Sequence, residues 1–412
     1  MRILFISTYF QPDIASTGVL MTQITEELIR HGHQITVVTS MPHYDRNRVW
    51  DEYRGKLVEI ERKPGLTIYR LRVYVPGEKT GFLGRLINYL SFNIFSAVVG
   101  LYAGGHDVIF VPSPPLMNGL VGDLLSRLKR IPFVYNVQDI WPDVVIRAGV
   151  MKNKRMINLS RKMEDYVYRR ADAVSVISEG FRKNLAAKGV DEGKIRVIPN
   201  FFDTVFVHPQ PRENDFRRSH GLDGKFVVLF GGNIGHSQGL ETVLEAAEQL
   251  EQEPEIHFLI VGNGVAKPGL IAYAEELGLS NVTFLPFQPH QALPEMYAAA
   301  DVSLVPLKKG FTNESVPCKV FTIMASGRPM IASVDRGSDT WQLVEEGRVG
   351  INAEVEDPRS LAEAITQLFR DERLRMKMGE NSREHILECY SKEVIGREYH
   401  QFLSDLMEGM RE

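Results

Sequence analysis

Cysteine is scarce in this chain of 412 residues, which contains only Cys318 and Cys389. Two cysteines cannot build the disulfide framework of a small secreted protein, and neither belongs to a CxxC pair. The amino-terminal MRILFIS lacks the long apolar segment and small-residue cleavage site of a signal peptide, and it is typical of a buried strand. We therefore expect a protein that folds and stays in the reducing cytoplasm.

An excess of positive charge is also missing, because the formal net charge is -4 at pH 7. This balance gives no reason to expect a nucleic-acid partner. The eleven histidines form no HExxH or HxxxH pair, and the chain contains no Walker GK[ST] or GxSxG motif. These absences disfavour a zinc enzyme, a P-loop nucleotide site and an α/β-hydrolase, and we predict no metal site.

Short apolar segments alternate with helical patterns along the whole chain. A length of 412 residues with 44% apolar and 24% charged residues predicts a globular protein of two domains. Near-continuous apolar strands between amphipathic helices indicate parallel sheets covered on both faces. The predicted strands are RILFIS, ITVVTS, TIYRLRV, DVIFVPS, PFVYNV and AVSVIS, followed by KFVVLFGG, IHFLIVGNG, VTFLPF, VSLVPL and PMIASV.

Two such series indicate an α/β protein with two Rossmann-like, doubly wound domains. The proline-rich segment IPNFFDTVFVHPQP, near residues 199–211, is the expected boundary. We predict an N-terminal domain over residues 1–200, a C-terminal domain over 201–385, and a helix over 386–412 that packs back on the N-terminal domain. The two domains are expected to face a central cleft at the carboxyl ends of their strands, where ligands bind in such folds.

One long segment departs from this alternation because it lacks charge. Residues 86–105, LINYLSFNIFSAVVGLYAGG, contain no charged residue, and Lys79 and Arg85 precede them. About 20 apolar residues can span a bilayer, but a span here would divide one sheet across the membrane. Two interpretations stay open: a buried core helix, or a helix in the membrane interface over residues 82–103. The aromatic residues expected at the lipid boundary are Tyr89, Phe92, Phe95 and Tyr102.

Three glycine-containing turns each follow a predicted strand. They are Ser16-Thr17-Gly18, Gly231-Gly232-Asn233-Ile234-Gly235 and Val261-Gly262-Asn263-Gly264. Glycine lets the backbone approach a ligand closely, and such turns cradle phosphate groups. None of them has the GxGxxG pattern of a dinucleotide site. Because all three are expected on the cleft side, they indicate a different phosphate-containing ligand.

Residues 312–332, TNESVPCKVFTIMASGRPMIA, place a carboxylate and a cation around the start of a predicted helix. Glu314 lies in the preceding loop, and Lys319 lies in the first turn. A lysine beside the free amides of a helix N-terminus suits a phosphate, and a carboxylate accepts hydrogen bonds from hydroxyl groups. A phosphate beside a polyol describes a nucleotide sugar. The alternative is an ordinary capped helix.

Candidates for reacting groups lie in YNVQDIWPDVV, after a strand of the first half. Gln138, Asp139, Trp141 and Asp143 are expected to face the cleft. Asp139 is a candidate base or a group that orients an acceptor hydroxyl; alternatively it caps the next turn. Among the histidines, only His236 in the second glycine turn is expected beside a ligand.

In their order and spacing, these motifs resemble the GT-B fold glycosyltransferases of family 4 over nearly the whole chain. The matching segments are GVLMTQITEELIRHGHQITVVT, VIPNFFDTVFVHP, GGNIGHSQGLETVLEAA, VGNG, ADVSLVPL and ESVPCKVFTIMASGRPMIA. Within the family, DVIFVPSPP, QDIWPD and the SVPxK form are similar to bacterial O-antigen and capsule enzymes that transfer N-acetyl-L-fucosamine and related amino sugars.

The resemblance implies a nucleotide-sugar donor in the C-terminal domain and an acceptor in the N-terminal domain. The implied catalytic residues are Glu314, which holds donor-sugar hydroxyls, Lys319, which holds the diphosphate, and Asp139. The implied donor contacts are Gly18, Gly231, Gly232, Asn233, Gln238, Gly262, Pro286, Phe287, Ser315, Val316 and Thr322, and the implied acceptor contacts are Asp13, Thr17, Gln138 and Trp141. Transfer in this family retains anomeric configuration without a metal, and the chain has no Asp-x-Asp signature. No cofactor is implied, because the nucleotide sugar is a substrate.

Three positions depart from the family pattern. Thr322 replaces the second glutamate, which usually holds the ribose eight residues after the first. Asn233 and Gln238 replace basic residues of the second glycine turn, which leaves more phosphate charge to Lys319, helped by Lys308 or Lys309. Gln138 replaces a strand-end histidine.

We therefore expect transfer of an N-acetylated amino sugar from a UDP-sugar to a lipid-linked saccharide in surface polysaccharide biosynthesis. The uncharged 86–105 segment favours a lipid acceptor and an enzyme that is peripheral on the inner face of the cytoplasmic membrane. Two alternatives are a sugar-nucleotide 2-epimerase of the same fold and a non-catalytic partner that has lost transfer, for which Thr322 is the hint.

Overall fold

The computed structural model describes residues 1–13, 15–44, 47–77, 82–147, 149, 151–311 and 317–410. The chain divides into two compact units. Unit 1 comprises Met1–Pro199 with Ile395–Glu412, and unit 2 comprises Asn200–Val394.

Unit 1 is built around a mixed sheet whose strands alternate with helices. Its elements are β1 (Arg2–Ile6), α1 (Ser16–Arg30), β2 (Gln34–Ser40), β3 (Val58–Lys63), β4 (Leu66–Leu71), α2 (Phe82–Tyr102), β5 (Val108–Ser113), α3 (Asn118–Lys129), β6 (Phe133–Val137), α4 (Asp143–Arg147), α5 (Lys154–Arg170), β7 (Ala173–Val176), α6 (Glu179–Ala187) and β8 (Ile195–Val197). Across the described residues the strand order is β3-β4-β2-β1-β5-β6-β7-β8. All pairs are parallel except β3 with β4.

The central strands of unit 1 are buried along their whole length, which explains their continuous apolar sequences. Every residue of β5, β6 and β7 is buried. Helices cover both faces, so alternation of apolar and polar residues is not needed. Side chains at helix starts supply caps; Asn153 accepts from the amides of Arg155 and Met156 at the start of α5.

Helix α2 is the uncharged segment identified in the sequence, and one of its faces is exposed. Its inner face enters the core through Phe92, which is fully buried, so the expectation that Phe92 lies at a lipid boundary is wrong. The outer face carries an exposed stripe at helical spacing: Ile87, Leu90, Ile94, Val98 and Leu101, with Phe95 and Tyr102 beside it. A helix buried on all sides is therefore also excluded. No helix among the described residues has the length and apolar character needed to cross a bilayer, and Lys79 lies outside those residues.

Unit 2 contains a parallel sheet with the strand order β11-β10-β9-β12-β13-β14 in the described part of the chain. Its elements are α7 (Asp215–Ser219), β9 (Phe226–Gly231), α8 (Leu240–Gln249), β10 (Ile256–Val261), α9 (Lys267–Glu276), β11 (Val282–Leu285), α10 (Leu293–Ala298), β12 (Val302–Pro306), α11 (Lys319–Ala325), β13 (Met330–Ser333), α12 (Asp339–Gly347), β14 (Gly350–Ala353), α13 (Pro358–Arg370) and α14 (Glu372–Cys389). Apolar side chains form a cluster on each face of this sheet.

The last helix, α15 (Lys392–Gly409), packs mainly in unit 1. Gly396 lies so close to α1 that a Cβ there would be 2.5 Å from the Cβ of Glu27. The Tyr399 hydroxyl accepts a hydrogen bond from Asn136 Nδ2 at 3.0 Å. The predicted helix over 386–412 differs from the structure in its start, because residues 386–389 still belong to α14.

The prediction of two Rossmann-like α/β units is confirmed, and the predicted strands all form. Sequence reasoning missed β3, β8 and β14 and predicted only parallel pairing. β3 is the antiparallel edge strand, and its sequence VEIERK is mostly exposed or half-buried. β8 and β14 have three and four residues, too few for a recognisable apolar run.

Candidate active site

Two glycine loops of unit 2 interlock at the carboxyl ends of β9 and β10. Gly232 N donates to Val261 O at 3.0 Å, and Ile234 N donates to Asn263 O at 2.9 Å. Gly262 has φ +153°, and a Cβ there would lie 1.8 Å from Gly232 O. Only glycine permits this approach, so the two turns predicted separately form one backbone structure.

Lys319 brings a cation to this structure from the start of α11. Its Nζ donates to Gln238 Oε1 at 2.6 Å and lies 4.0 Å from the centre of the Phe230 ring. It also lies 3.8 Å from the position that a Cβ of Gly232 would occupy. Burial lowers the pKa of Lys319 to about 7. An anion placed here would favour the charged lysine and gain a strong, charge-assisted hydrogen bond.

Of the other polar side chains in and near the second glycine loop, some are exposed and others already form a hydrogen bond or an ion pair. Asn233 and His236 are exposed. Gln238 replaces a basic residue of the family pattern, and its amide oxygen holds the Lys319 ammonium. Lys308 Nζ forms an ion pair with Glu241 at 3.2 Å, so part of its charge is already balanced.

The segment after β11 lies beside the same loops. Pro286 and Phe287 are exposed. Lys267, which sequence reasoning missed, donates from Nζ to Gly262 O at 2.8 Å and to Leu285 O at 2.7 Å. It thereby ties the third glycine turn to the end of β11. In the sequence, this role could have been inferred from a lysine in the first turn of α9, the helix that follows the third glycine turn.

Thr322 faces the interior of unit 2 from the middle of α11. Its side chain is buried, between the core residues Phe321 and Ile323. The predicted donor contacts Glu314, Ser315 and Val316 lie outside the described residues, so their roles stay predictions.

In unit 1, Asp139 follows the carboxyl end of β6. Burial raises the pKa of its carboxyl group to about 6. In the part of the chain that the structure describes, this carboxylate accepts no hydrogen bond, so the alternative of a turn-capping aspartate has no support there. A carboxylate with this pKa is suited to accept a proton near neutral pH.

Gln138 and Trp141, the neighbours of Asp139, are held by unit 1 itself. Gln138 is buried and donates from Nε2 to Asn136 Oδ1 at 2.8 Å. Trp141 is half-buried against the core. Asp143 forms an ion pair with Lys188 at 2.7 Å, which gives it a structural partner.

The loop after β1 contains the remaining predicted acceptor residues. Asp13 is buried, and its Oδ2 accepts from the backbone amides of His43 at 3.1 Å and Tyr44 at 3.2 Å. Thr17 is half-buried in the first turn of α1. A Cβ on Gly18 would lie 3.1 Å from Phe10 N, so Gly18 lets α1 approach the chain's own backbone.

A polar network at the same edge of unit 1 was missed. Asn88 Nδ2, on α2, lies 3.3 Å from His43 Nε2 and donates to Tyr74 O at 2.6 Å. The centre of the Tyr9 ring lies 5.7 Å from that of the His43 ring. These residues join α2 to the carboxyl ends of β1 and β2. In the sequence, the polar residues that directly follow β1 and β2 could have indicated this network.

No group of three or more histidine, cysteine or acidic side chains that would hold a metal ion is present among the described residues. The groups described above are Lys319 and the glycine-loop backbone in unit 2, and Asp139 in unit 1.

Comparison with known proteins shows the family. Residues 17–200 match the profile described as "Glycosyl transferase 4-like domain", and residues 212–385 match "Glycosyl transferases group 1". The chain is 30% identical to the putative colanic acid biosynthesis glycosyl transferase WcaI of Escherichia coli K12, over 98% of this chain and 100% of that protein.

Solved structures show the same fold at lower sequence identity. Sucrose-phosphate synthase from Thermosynechococcus elongatus superposes with a TM-score of 0.74 at 21% identity, covering 99% of this chain and all of that one. Anabaena HepE, crystallised in complex with UDP, gives a TM-score of 0.72 at 18% identity, covering 98% of this chain and all of that one. Together with the full-length relative and the two family profiles, these likenesses identify the chain as a GT-B glycosyltransferase of family 4.

Proposed function

We propose that this glycosyltransferase moves a sugar from a UDP-sugar to a lipid-linked saccharide, with retention of anomeric configuration and without a metal. The observation that carries the donor half is Lys319, a half-buried cation held by Gln238 above interlocked glycine loops. A diphosphate would supply a negative partner for the Lys319 ammonium, which donates a hydrogen bond only to the neutral amide oxygen of Gln238 among the described residues. The complex of HepE with UDP supports a uridine nucleotide.

The donor's leaving group sets the chemical demand on unit 2. Breaking the glycosidic bond to the diphosphate leaves negative charge on the phosphate oxygens, and preorganised cations and dipoles stabilise it. Lys319 supplies the positive charge, and the glycine loops allow backbone groups to approach the phosphate closely. Glu314 is the proposed contact to the sugar hydroxyls, and Pro286 with Phe287 the proposed contact to the base.

Asp139 is the proposed contact to the acceptor hydroxyl in unit 1. Its carboxylate is ionised above a pH of about 6, so at neutral pH it accepts a hydrogen bond and orients the hydroxyl. Gln138 and Trp141, which flank it, are proposed to complete this contact with Thr17. Asp13 acts through the backbone of residues 43–44, which it holds.

The acceptor is proposed to be lipid-linked because of the exposed face of α2. Its stripe of Ile87, Leu90, Ile94, Val98 and Leu101 has no partner among the described residues of the chain. An apolar helix face of this kind lies in a bilayer interface, with nearby cations at the headgroups. Such placement at the inner membrane face brings the enzyme to a lipid substrate.

The pathway and the sugar are proposed on likeness. The relative WcaI is named for colanic acid biosynthesis and aligns over its full length, which supports a role in surface polysaccharide biosynthesis. An N-acetylated amino sugar is proposed from the QDIWPD and SVPxK segments.

A thermal-shift panel tests the donor assignment. UDP, GDP, ADP and dTDP are each added to the wild type, to Lys319→Ala and to the control Lys377→Ala, which changes an exposed lysine of α14. A ligand that binds only the native state raises the melting temperature by mass action. We expect UDP to stabilise the wild type and the control but not Lys319→Ala. Stabilisation by GDP alone, or an unchanged UDP response in Lys319→Ala, would contradict the assignment.

A further inference from the structure

A groove of about 790 Å³ lies in unit 1 between α2 and the strands β3 and β4. Its walls are apolar except for Arg72, Ser91 and the phenol of Tyr74. Leu57 at its rim is 72% exposed, Phe95 is 50% exposed and Val98 is 53% exposed. Contiguous exposed apolar surface of this kind marks binding sites in soluble proteins.

The Ser91 hydroxyl, in the groove wall on α2, is already engaged, which restricts the ligand of the groove. Ser91 Oγ accepts from Tyr74 N at 3.0 Å and donates to Asn88 O at 2.8 Å. Against the apolar part of the wall, a polar ligand would lose its hydrogen bonds to water without replacing them. A hydrocarbon chain loses no hydrogen bonds and gains by leaving water.

Arg72 provides the one charged side chain of the groove wall. It directly follows the carboxyl end of β4, where its N donates to Leu57 O at 2.9 Å. Its guanidinium forms no ion pair with any described residue. A cation in the wall of an apolar groove complements a lipid that carries a phosphate on its chain.

The groove wall adjoins the polar edge of unit 1 through Tyr74. Tyr74, in its wall, accepts from Asn88 through its backbone oxygen, and Asn88 in turn contacts His43. His43 is held by Asp13, in the loop predicted to contact the acceptor. A chain in the groove would therefore have its head group at the edge where the acceptor saccharide is proposed to bind.

We propose that this groove binds the hydrocarbon chain of the lipid-linked acceptor, with Arg72 beside the chain's phosphate. The inference rests on the proposed function in one respect, that the acceptor is a lipid. The groove and the outer stripe of α2 share Val98, whereas Ile94 belongs to the stripe but not to the groove wall.

A matched pair of variants on α2 tests the groove. Val98→Trp adds a large side chain inside it, whereas Ile94→Trp adds the same side chain at a 63% exposed position outside it. The probe is farnesyl phosphate, a water-dispersible isoprenoid phosphate, titrated calorimetrically against inorganic phosphate. We expect saturable binding by the wild type and Ile94→Trp, at least about tenfold weaker binding by Val98→Trp, and no response to inorganic phosphate.

A second pair tests the phosphate end and guards against misfolding of Val98→Trp. Arg72→Gln should weaken farnesyl phosphate binding, and Arg62→Gln, at an exposed position of β3 outside the groove, should not. Absence of saturable binding by the wild type, or equal weakening within either pair, would overturn the proposal. Loss of vesicle binding in Val98→Trp but not in Ile94→Trp would also overturn it, because the groove would then belong to bilayer docking.

The outcomes separate this proposal from the donor assignment. A UDP response without farnesyl phosphate binding overturns the groove and leaves the donor site intact. Farnesyl phosphate binding without a UDP response supports the groove and contradicts the donor assignment.

Discussion

The affinity for UDP is predicted to fall as the pH rises, because Lys319 loses its proton. Burial lowers the pKa of Lys319 to about 7, and a diphosphate beside Nζ raises it again. Above neutral pH the complex therefore forms with proton uptake. With a pKa of about 7, roughly three quarters of the lysine is charged at pH 6.5 and roughly 3% at pH 8.5. The Kd for UDP should rise roughly 25-fold over this interval, which is about 2 kcal/mol.

Isothermal titration calorimetry measures both the affinity and the proton uptake. Titrations at pH 8 in buffers of different ionisation enthalpy should report an uptake of about 0.9 proton per UDP. Lys319→Arg is the control, because its guanidinium stays charged throughout. The phosphate of UDP titrates equally in both proteins, so the pH dependence of the ratio of their Kd values reports the protonation of Lys319 alone. Equal pH slopes for the two proteins, or no proton uptake by the wild type, would refute the reasoning.

Three further variants have defined expectations. Asp139→Asn should lower transfer and raise the free energy of unfolding at pH 7 by up to about 3 kcal/mol, seen as a higher melting temperature. Burial raises the folded-state pKa of Asp139 to about 6, so the carboxylate destabilises the fold as the pH rises from about 4 to 6. Gly262→Ala should cost about 3 kcal/mol or more, measured by denaturant unfolding, because its Cβ would overlap a carbonyl oxygen at 1.8 Å; Gly269→Ala is the control. Leu90→Asp with Ile94→Asp should abolish flotation with anionic liposomes.

Each of these expectations has a contradicting result. An unchanged melting temperature of Asp139→Asn at pH 7, or a gain that persists equally at pH 4, would contradict the buried-carboxylate argument. Gly262→Ala as stable as Gly269→Ala would contradict the interlocked loops. For flotation, Val265→Asp with Met376→Asp changes two exposed apolar residues of unit 2; equal loss of binding in both double variants would contradict docking through α2.

The fold was predictable from sequence where burial is complete. Strands such as β5 and β9 are buried at every residue, so their unbroken apolar sequences identify them. β3 could not be predicted this way, because an edge strand paired on one side has an exposed and charged sequence. The uncharged sequence of α2 is the opposite case: composition alone does not distinguish buried Phe92 from exposed Phe95.

The site was predictable in its parts but not in its connections. The glycine pattern located both loops of unit 2, while their contact at Gly262 depends on long-range backbone packing. Gln238 was identified as a departure from the family, and only the structure gives it the role of holding Lys319. The His43–Asn88 contact joins residues 45 positions apart, and no local pattern reveals it.

Transfer of labelled sugar into lipid tests the central claim most directly. The wild type, Lys319→Ala and the control Lys377→Ala are incubated with a labelled UDP-N-acetylhexosamine and bacterial membranes, and label in the organic extract is measured. The account predicts incorporation by the wild type and the control, and loss of most of it in Lys319→Ala while the protein stays folded. Full incorporation by Lys319→Ala, or conversion of the donor to an isomer without incorporation by the wild type, would contradict it.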